Sequence, residues 1–133
     1  MALTASQARE LIEKYTEGWV RGDERAICAP LSESCLVIES HGPTYRGIPE
    51  IRQWIGDWTR SNSVDSWVIK SFVFTNDTAC FEWHFKCTCV GTSDQIYGAS
   101  FVRFTNQKIS SICEYKITVL PDNWKELFGD ERV

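Results

Sequence analysis

The N-terminal segment alternates apolar and polar residues with the period of an amphipathic helix. Thr4 and Gln7 have the spacing of a capping box. Gly22 stands where a helix commonly ends in a left-handed residue. Apolar residues between these two signals recur three and four positions apart, which predicts a buried helical stripe. The members of this stripe are Ala8, Leu11, Ile12, Tyr15 and Trp19.

Helical periodicity returns after a short apolar strand. Asp23 is expected to cap a brief second helix that Pro30 closes, and residues 35–41 predict a strand that ends before Gly42. Pro49 suits the first turn of a third helix, because its missing N–H costs nothing there. The apolar stripe of this third helix is Ile51, Trp54, Ile55 and Trp58.

From Ser63 onward the period changes to two, the repeat of β-strands. Four strands are predicted, joined by tight turns rich in Asn, Asp and Gly, with the middle turn at residues 91–94. Beyond them, Pro121 predicts the start of a last helical turn around Trp124 and Leu127. The four predicted strands span residues 65–75, 78–90, 95–105 and 109–119.

The two faces of the predicted sheet differ in composition. One face of the second long strand is apolar and is expected to lie beneath the helices. The other face mixes charges with Phe72, Phe101 and Ile112, which is too apolar for a bare solvent face and predicts a homodimer surface. The inner residues are Phe81, Trp83, Phe85, Cys87 and Cys89. The charged and polar residues assigned to the outer face are Glu82, His84, Lys86, Thr88, Arg103, Glu114 and Lys116.

This element order predicts an α+β fold in one domain, residues 1–133, with three helices on one face of a curved, mostly antiparallel sheet. A sheet that curls around helices encloses a conical cavity. Aromatic residues make up 13% of the chain and include 6 Trp, and each of them buries a large area. They either line this cavity or simply fill the core, and both interpretations stay open.

Charge and cysteine content exclude several function classes. The net charge of −4 and the absence of a basic run argue against nucleic-acid binding. No leader-like segment and no membrane-spanning stretch is expected, so a cytoplasmic protein without a membrane partner is predicted. In such a protein the 6 Cys are expected to be buried free thiols. With only 2 His and no paired cysteine motif, a zinc site is not expected.

Taken together, these features resemble the nuclear-transport-factor-2-like (NTF2-like) superfamily, in its SnoaL-like and ketosteroid-isomerase-like branches. The resemblance extends over residues 5–119 and rests on the joint order of several short pieces. This order is specific for the fold and carries little information about the reaction. The pieces are Tyr15 through Gly22-Asp23, Tyr45-Arg46-Gly47 before a helix, Phe101-Val102-Arg103-Phe104 with Lys108-Ile109, and Glu114-Tyr115.

The resemblance to ketosteroid isomerases implies a catalytic site. Tyr15 takes the place of the family's oxyanion-hole tyrosine, and Glu39 takes that of its general-base aspartate. A shift of one residue would put Ser40 there instead. The family's second oxyanion donor is an aspartic acid, and Ser100 stands at its position here. His41 is an optional proton shuttle at the pocket mouth.

The implied chemistry is proton transfer next to a carbonyl group. Desolvation makes a carboxylate in an apolar cleft a stronger base, so Glu39 would remove the proton while Tyr15 hydrogen-bonds the enolate oxygen. The expected activity is that of a cofactor-free isomerase, cyclase or dehydratase acting on a hydrophobic polycyclic or aromatic-like small molecule. The expected substrate-binding wall consists of Trp19, Trp54, Trp58, Trp83, Phe85 and Tyr115.

The residues at the cavity positions also bear on other functions that occur within the superfamily. Limonene-epoxide-hydrolase-like members use charged residues at the positions that match Trp83, Phe85 and Ile117 here, so epoxide opening is not expected. Two non-catalytic alternatives remain, because fold does not fix function. One is a module that binds a hydrophobic ligand. The other is a dimerisation domain whose aromatic residues fill the cavity. An enzyme would need Glu39 and Tyr15 to face one cavity.

Overall fold

The computed structural model describes residues 2–119, which form an α+β unit with helices packed on a six-stranded sheet. The predicted fold class, helices against a curved sheet, is confirmed. The helices in chain order are α1 (Ala5–Arg21), α2 (Glu24–Cys28) and α3 (Gly47–Thr59). The strands are β1 (Leu31–Ile38), β2 (Thr44–Arg46), β3 (Asn62–Thr75), β4 (Thr78–Cys89), β5 (Thr92–Thr105) and β6 (Lys108–Lys116).

The corner between α1 and α2 is built by local capping bonds. Both bonds of the predicted capping box form: the Thr4 N–H donates to Gln7 Oε1 at 2.9 Å, and the Gln7 N–H donates to Thr4 Oγ1 at 3.1 Å. Gly22 ends α1 with φ of 64°. Asp23 then caps α2 by accepting a hydrogen bond from the Ala26 N–H at 3.2 Å. These bonds fix the direction in which α1 presents its buried stripe to the sheet.

The order of helices and strands differs from the prediction by one strand. The sequence analysis placed the third helix after a single strand, whereas α3 follows a hairpin of two, β1 and β2, so only α1 and α2 precede the sheet. Strand β2 has three residues, Thr44–Arg46, and was not predicted because so short a segment shows no periodicity. Its antiparallel pairing with β1 joins Val37 to Tyr45 and brings the start of α3 beside the middle of β1, where Gly47 lies near the Glu33 carbonyl oxygen.

The sheet is mixed, with strand order β2-β1-β6-β5-β4-β3. Strand β1 pairs with β6 in parallel, and every other neighbouring pair is antiparallel. Two of the tight turns lie where they were predicted, with positive φ at Asn76-Asp77 and at Asn106-Gln107. The middle turn is shorter than the predicted residues 91–94, because Val90 and Gly91 alone have positive φ there and β5 already begins at Thr92.

Two irregularities in β3 change which of its residues face the helices. The register against β4 shifts between Val64 and Ser66 and again between Lys70 and Val73. Each shift bends the strand and moves the inward side chains by one position. Trp67 therefore faces the helices, although strict alternation from Val64 would turn it outward. Phe72 also packs inward after the second shift, where it stacks on Phe81 at 6.2 Å between ring centroids.

The prediction for the outer face of the sheet is partly wrong. Directly opposed residues of an antiparallel pair share a face. The pairing of Val102 with Ile112, and of Ser100 with Glu114, therefore puts Ile112 and Glu114 on the inner face. Lys116 follows the same alternation, and Phe72 is turned inward by the β3 irregularity. Residues that do lie on the outer face are Glu82, His84, Lys86, Phe101 and Arg103.

The predicted helical turn around Trp124 and Leu127 lies outside the described residues. Within residues 2–119, none of the helices has the length and apolar character that crossing a membrane requires.

Candidate functional site

A cavity of about 190 Å³ lies between helices α1 and α3 and the inner face of the sheet. A wider depression of about 690 Å³ next to Tyr97 is shallow and open to solvent, so the enclosed cavity is the better candidate site. The cavity's aromatic lining is Trp19, Trp54, Trp58, Trp67, Trp83 and Phe85. Its other lining residues are Glu39, Ser40, His41, Cys87, Cys89, Asp94, Ile96, Glu114 and Lys116.

The aromatic lining forms two walls. On the helical side, Trp19 lies 5.0 Å from Trp54 and 5.5 Å from Trp58 between ring centroids. On the sheet side, Trp67 meets Phe85 edge-on at 5.1 Å. These contacts hold the rings against one another, so each wall is supported by its own packing while both border the open space.

Trp83 is fixed in the sheet wall by two neighbours on β5. Its indole N–H donates to Ser100 Oγ at 2.8 Å, a bond that is completely buried. A Cβ added at Gly98, directly opposite Trp83, would lie 2.6 Å from the indole ring, so only glycine leaves room for it. Ser100 therefore lies beneath Trp83 and is not among the residues that line the cavity. The structure does not bring it to the ligand space together with Glu39.

Glu39 lies at the end of β1 and lines the cavity. One of its carboxylate oxygens accepts a hydrogen bond from the Tyr45 hydroxyl at 3.0 Å. The Tyr45 ring stacks on Trp54 at 4.5 Å with an angle of 10° between the planes, which fixes the phenol. Burial, the bond to Glu39 and its charge together raise the pKa of Tyr45 to about 12, so this phenol remains a donor. Ser40 also lines the cavity. Of these two neighbours, Glu39 supplies the carboxylate, and the Tyr45 hydroxyl holds it in place.

Glu114 is the cavity residue that the sequence analysis placed on the wrong face. It lies on β6 opposite Ser100, where its half-buried side chain borders the cavity. Desolvation by burial, and then the charge of Glu39, raise the pKa of Glu114 from 4.5 to about 8. The sequence analysis assigned Ile112, two positions before it, to the same outer face; the apolar character of Ile112 is the signal that could have placed both residues inward.

Tyr15 is buried behind the cavity and is not one of its lining residues. Its ring packs edge-on against Trp67 at 5.9 Å. Within the described residues its hydroxyl has no hydrogen bond of normal geometry, although the Trp19 indole is near enough to lower its pKa slightly. Burial, followed by the charge of Glu114, raises the pKa of Tyr15 well above 10. Tyr15 is therefore a neutral, unpaired phenol at the floor of the site.

Two further predicted site residues lie away from the cavity interior. His41 is exposed at the mouth, consistent with the position expected for it. Tyr115 was expected in the cavity wall, but it lies on the outer face of the sheet and is 56% exposed. It points outward because it pairs with Ala99, which is not an inward residue. Trp67 takes its place in the wall. Strict alternation along β3 would turn Trp67 outward, and the register shift between Val64 and Ser66 cannot be recognised from the sequence pattern.

Cys87 and Cys89 lie on one face of β4 with their sulfur atoms 3.3 Å apart, and both are free thiols. Burial and the contact with Cys89 raise the pKa of Cys87 to about 12. Among residues 2–119, no three His, Cys, Asp or Glu side chains are grouped as a set of metal ligands.

The chain matches the family model described as the SnoaL-like domain over residues 12–112. It belongs to the SnoaL-like family. The family belongs to the predicted NTF2-like superfamily, so the resemblance stated from the sequence is confirmed. No curated protein matches the sequence of the chain.

Several solved structures share the fold at low sequence identity. A Catenulispora acidiphila protein with a ketosteroid isomerase-like fold, in complex with trimethylamine, aligns with a TM-score of 0.72 and 17% identity over 80% of this chain and 84% of its own. A candidate polyketide cyclase from Xanthomonas campestris aligns at 0.69 and 19% identity, over 83% and 90%. An LEH-like epoxide hydrolase from M. tuberculosis aligns at 0.76 and 11% identity, over 84% of both chains. At such identities the likeness concerns the fold.

Proposed function

We propose that this protein binds a compact organic carbonyl compound in the aromatic cavity and moves a proton next to the carbonyl group. Glu39 acts as the base, and neutral Glu114 acts as the hydrogen-bond donor to the carbonyl oxygen. The outcome is an isomerisation, a ring closure or a dehydration. The observation that carries the proposal is the presence of two carboxyl groups in different environments at one apolar cavity, a common arrangement of acid–base sites.

The donor role follows from the environment of Glu114. With its pKa raised to about 8, its carboxyl group is mostly neutral at pH 7 and carries an O–H donor. In the ketosteroid isomerases that the chain resembles, an aspartic acid on the strand position of Ser100 supplies this donor. Here the acid stands one strand away, directly opposite Ser100. Tyr15 lies behind the cavity, where its neutral hydroxyl has no hydrogen bond within residues 2–119.

The base role follows from the position of Glu39. Its bond to Tyr45 holds the carboxylate at the cavity edge. In the proposed step Glu39 takes a proton from the carbon next to the carbonyl, and the C–H bonding electrons move onto the carbonyl oxygen to give an enolate. Glu114 donates a hydrogen bond to that oxygen. Glu39 then returns the proton to a different carbon atom.

The size of the cavity limits the substrate. Its volume of about 190 Å³ is below the roughly 300–1,000 Å³ that is usual for drug-sized ligands. A molecule of one or two rings, or a short chain with a carbonyl group, fits this space better than a larger polycyclic compound. The flat aromatic walls favour a hydrophobic or delocalised substrate.

The test is the binding of a nitrophenol, whose phenolate form mimics the enolate and whose absorbance reports its ionisation. For the wild type, affinity for the phenolate should fall at least about tenfold as the pH rises through the pKa of Glu114. Glu114→Gln should remove this step. Glu39→Gln should bind the phenolate more tightly, because Gln resembles the base after it has taken the proton. Glu33→Gln, which removes an exposed carboxylate on β1, is the control.

Affinity that does not respond to either cavity substitution would contradict the proposed proton transfer. Other titratable groups lie around Glu114, and their charges act on the same pH series. These groups are Glu39, Tyr15, Asp94, Lys116 and His41.

The second candidate is a ligand-binding protein without turnover. It is supported by the structural neighbour that holds trimethylamine, since that protein shows this fold in complex with a small molecule. It also needs only the cavity and not the two carboxyl groups. Tight binding of small molecules, with equal affinity in the wild type and in Glu39→Gln and Glu114→Gln, would favour it.

We also propose that the protein is a homodimer that joins through the outer face of the sheet. Phe101 is 42% and Tyr115 56% exposed on this face, next to the charged Arg103. Apolar rings at the centre of a sheet face are common in interfaces. Light scattering should give twice the mass of the chain for the wild type and the monomer mass for Phe101→Lys. A monomeric wild type would contradict the proposal.

A further inference from the structure

The aromatic cavity has an excess of negative charge. Among its described lining residues, Glu39 and Asp94 are carboxylates and Glu114 is mostly neutral at pH 7, whereas Lys116 is the only lysine or arginine. Lys116 is exposed at the rim, so its ammonium group lies in water and screens the interior weakly. A carboxylate held at the wall by a fixed hydrogen bond, as in Glu39, keeps its charge near the aromatic rings.

Indole rings line the space on two sides. Trp54 and Trp58 pack around Trp19 on the helical wall, at 5.0 and 5.5 Å. Across the cavity, Trp67 and Phe85 form the sheet wall. The ring quadrupole attracts a cation placed over a face, and tryptophan does so most strongly. Several rings that face one small space are the known means by which proteins bind methylated ammonium groups.

From these two features we infer that the cavity binds a small organic cation, a methylated ammonium group that is enclosed by the tryptophan walls and balanced by Glu39. This inference rests on the proposed function only for the use of the same cavity, and it names the chemical class of the ligand. A cavity of about 190 Å³ accommodates such a compact group together with a short tail that carries a carbonyl or hydroxyl. A purely hydrophobic receptor would not need the carboxylates of Glu39 and Asp94 in its lining.

The experiment compares choline with its neutral isostere 3,3-dimethylbutan-1-ol, in which carbon replaces the ammonium nitrogen. Both have the same shape, so their difference in affinity measures the effect of the charge. Isothermal titration at pH 7, with tryptophan fluorescence as the second readout, should show choline binding at least about tenfold more tightly. Equal affinities for the two compounds would overturn the inference.

Two pairs of variants locate the effect. Trp58→Leu should lose most of the preference for choline, whereas Trp58→Phe should retain part of it because a ring face remains. Glu39→Gln should weaken choline binding, and Glu33→Gln should not. Circular dichroism checks that each variant is folded, and the phenylalanine variant keeps the test decisive if the leucine variant is not. Retention of the full preference in the folded Trp58→Leu and Glu39→Gln variants would overturn the inference.

The nitrophenol experiment separates this inference from the proposed function. Binding of nitrophenol without binding of choline would overturn the cation inference and leave the proton-transfer proposal standing. Preferential choline binding without any effect of Glu114→Gln on nitrophenol would support the cation inference and contradict the proton transfer.

Discussion

Ser100 and Glu114 lie directly opposite each other on neighbouring strands, and the two residues serve different parts of the same cavity. Ser100 Oγ accepts a hydrogen bond from the Trp83 indole N–H at 2.8 Å, and this bond fixes Trp83 in the sheet wall of the cavity. Glu114 has its pKa raised to about 8 by burial and by the charge of Glu39. In the proposed function, Glu114 on the adjacent strand takes the place of the polar group that a ketosteroid isomerase has at the position of Ser100.

The pH dependence of stability should report the buried carboxyl of Glu114. Because its pKa is raised from 4.5 to about 8, the folded protein keeps a proton that the unfolded chain loses in this interval. The free energy of unfolding should therefore fall as the pH rises from about 4.5 to 8. Glu114→Gln resembles the neutral acid at every pH. Urea unfolding should find it within about 0.5 kcal/mol of wild type at pH 5 and roughly 1–3 kcal/mol more stable at pH 8.5.

Glu33→Gln is the matched control for this series, since it removes a carboxylate that is exposed on β1. It should shift the stability equally at both pH values. A Glu114→Gln variant whose stability difference from wild type is the same at pH 5 and pH 8.5 would show that Glu114 titrates normally.

Tyr15→Phe should separate stability from ligand binding. The Tyr15 hydroxyl is buried without a hydrogen bond among the described residues, so its removal costs no bond and relieves a desolvated polar group. Unfolding free energy should be unchanged or rise by up to about 1 kcal/mol. Affinity for the nitrophenolate should change little, because Tyr15 lies behind Trp67 and does not line the cavity. A stable variant that loses about tenfold or more in nitrophenolate affinity would show that the Tyr15 hydroxyl reaches the ligand.

Tyr45 is predicted to act as a positioning residue that holds Glu39. Its hydroxyl donates to the Glu39 carboxylate at 3.0 Å, and its ring is fixed on Trp54. Tyr45→Phe should lower stability by about 1–2 kcal/mol through loss of a charge-assisted bond. The nitrophenolate affinity of Tyr45→Phe should also differ from that of the wild type.

A double-mutant cycle checks this assignment. In the Glu39→Gln background, Tyr45→Phe should have less effect on nitrophenolate affinity, because the interaction with the charged carboxylate is already gone. Identical effects in both backgrounds would mean that Tyr45 acts through packing alone.

Gly98→Ala should damage the sheet wall of the cavity. The added Cβ would lie 2.6 Å from the Trp83 ring and would collide with the Tyr115 carbonyl oxygen. Trp83 must then move, so we expect a loss of about 1–3 kcal/mol in unfolding free energy and a change in tryptophan fluorescence. Gly56→Ala is the control. It lies on an open face of α3 and should raise stability by about 0.5–1 kcal/mol. A fully stable Gly98→Ala variant with wild-type fluorescence would contradict the described packing.

Local signals account for the parts of the fold that the sequence analysis predicted correctly. The capping box at Thr4, the left-handed Gly22 and the Asn-rich turns act over a few residues, so they can be recognised without knowing the tertiary structure. The superfamily followed from the joint order of several short pieces, such as Tyr45-Arg46-Gly47 before a helix. The short strand β2 has too few residues to show a periodic pattern. The parallel pairing of β1 with β6 depends on contacts between distant segments, which local patterns do not contain.

The site was predicted less completely, for a related reason. Glu39 was expected in the cavity and is one of its lining residues. Glu114 and Trp67 were misplaced or missed, because strand register decides which way a side chain points and one irregular position reverses it. The same uncertainty put Tyr115 in the wall. Composition indicated an aromatic cavity, but only the pairing of the strands assigns its members.

The central claim is that two carboxyl groups share one aromatic cavity and that Glu114 remains neutral near pH 7. Carbon-13 NMR of the glutamate side-chain carboxyl groups, with Glu114→Gln to assign the signal, measures this directly. We predict that the Glu114 signal titrates near pH 8, and that a bound nitrophenolate shifts it. A Glu114 carboxyl that is ionised at pH 6, or that does not respond to the ligand, would contradict the claim.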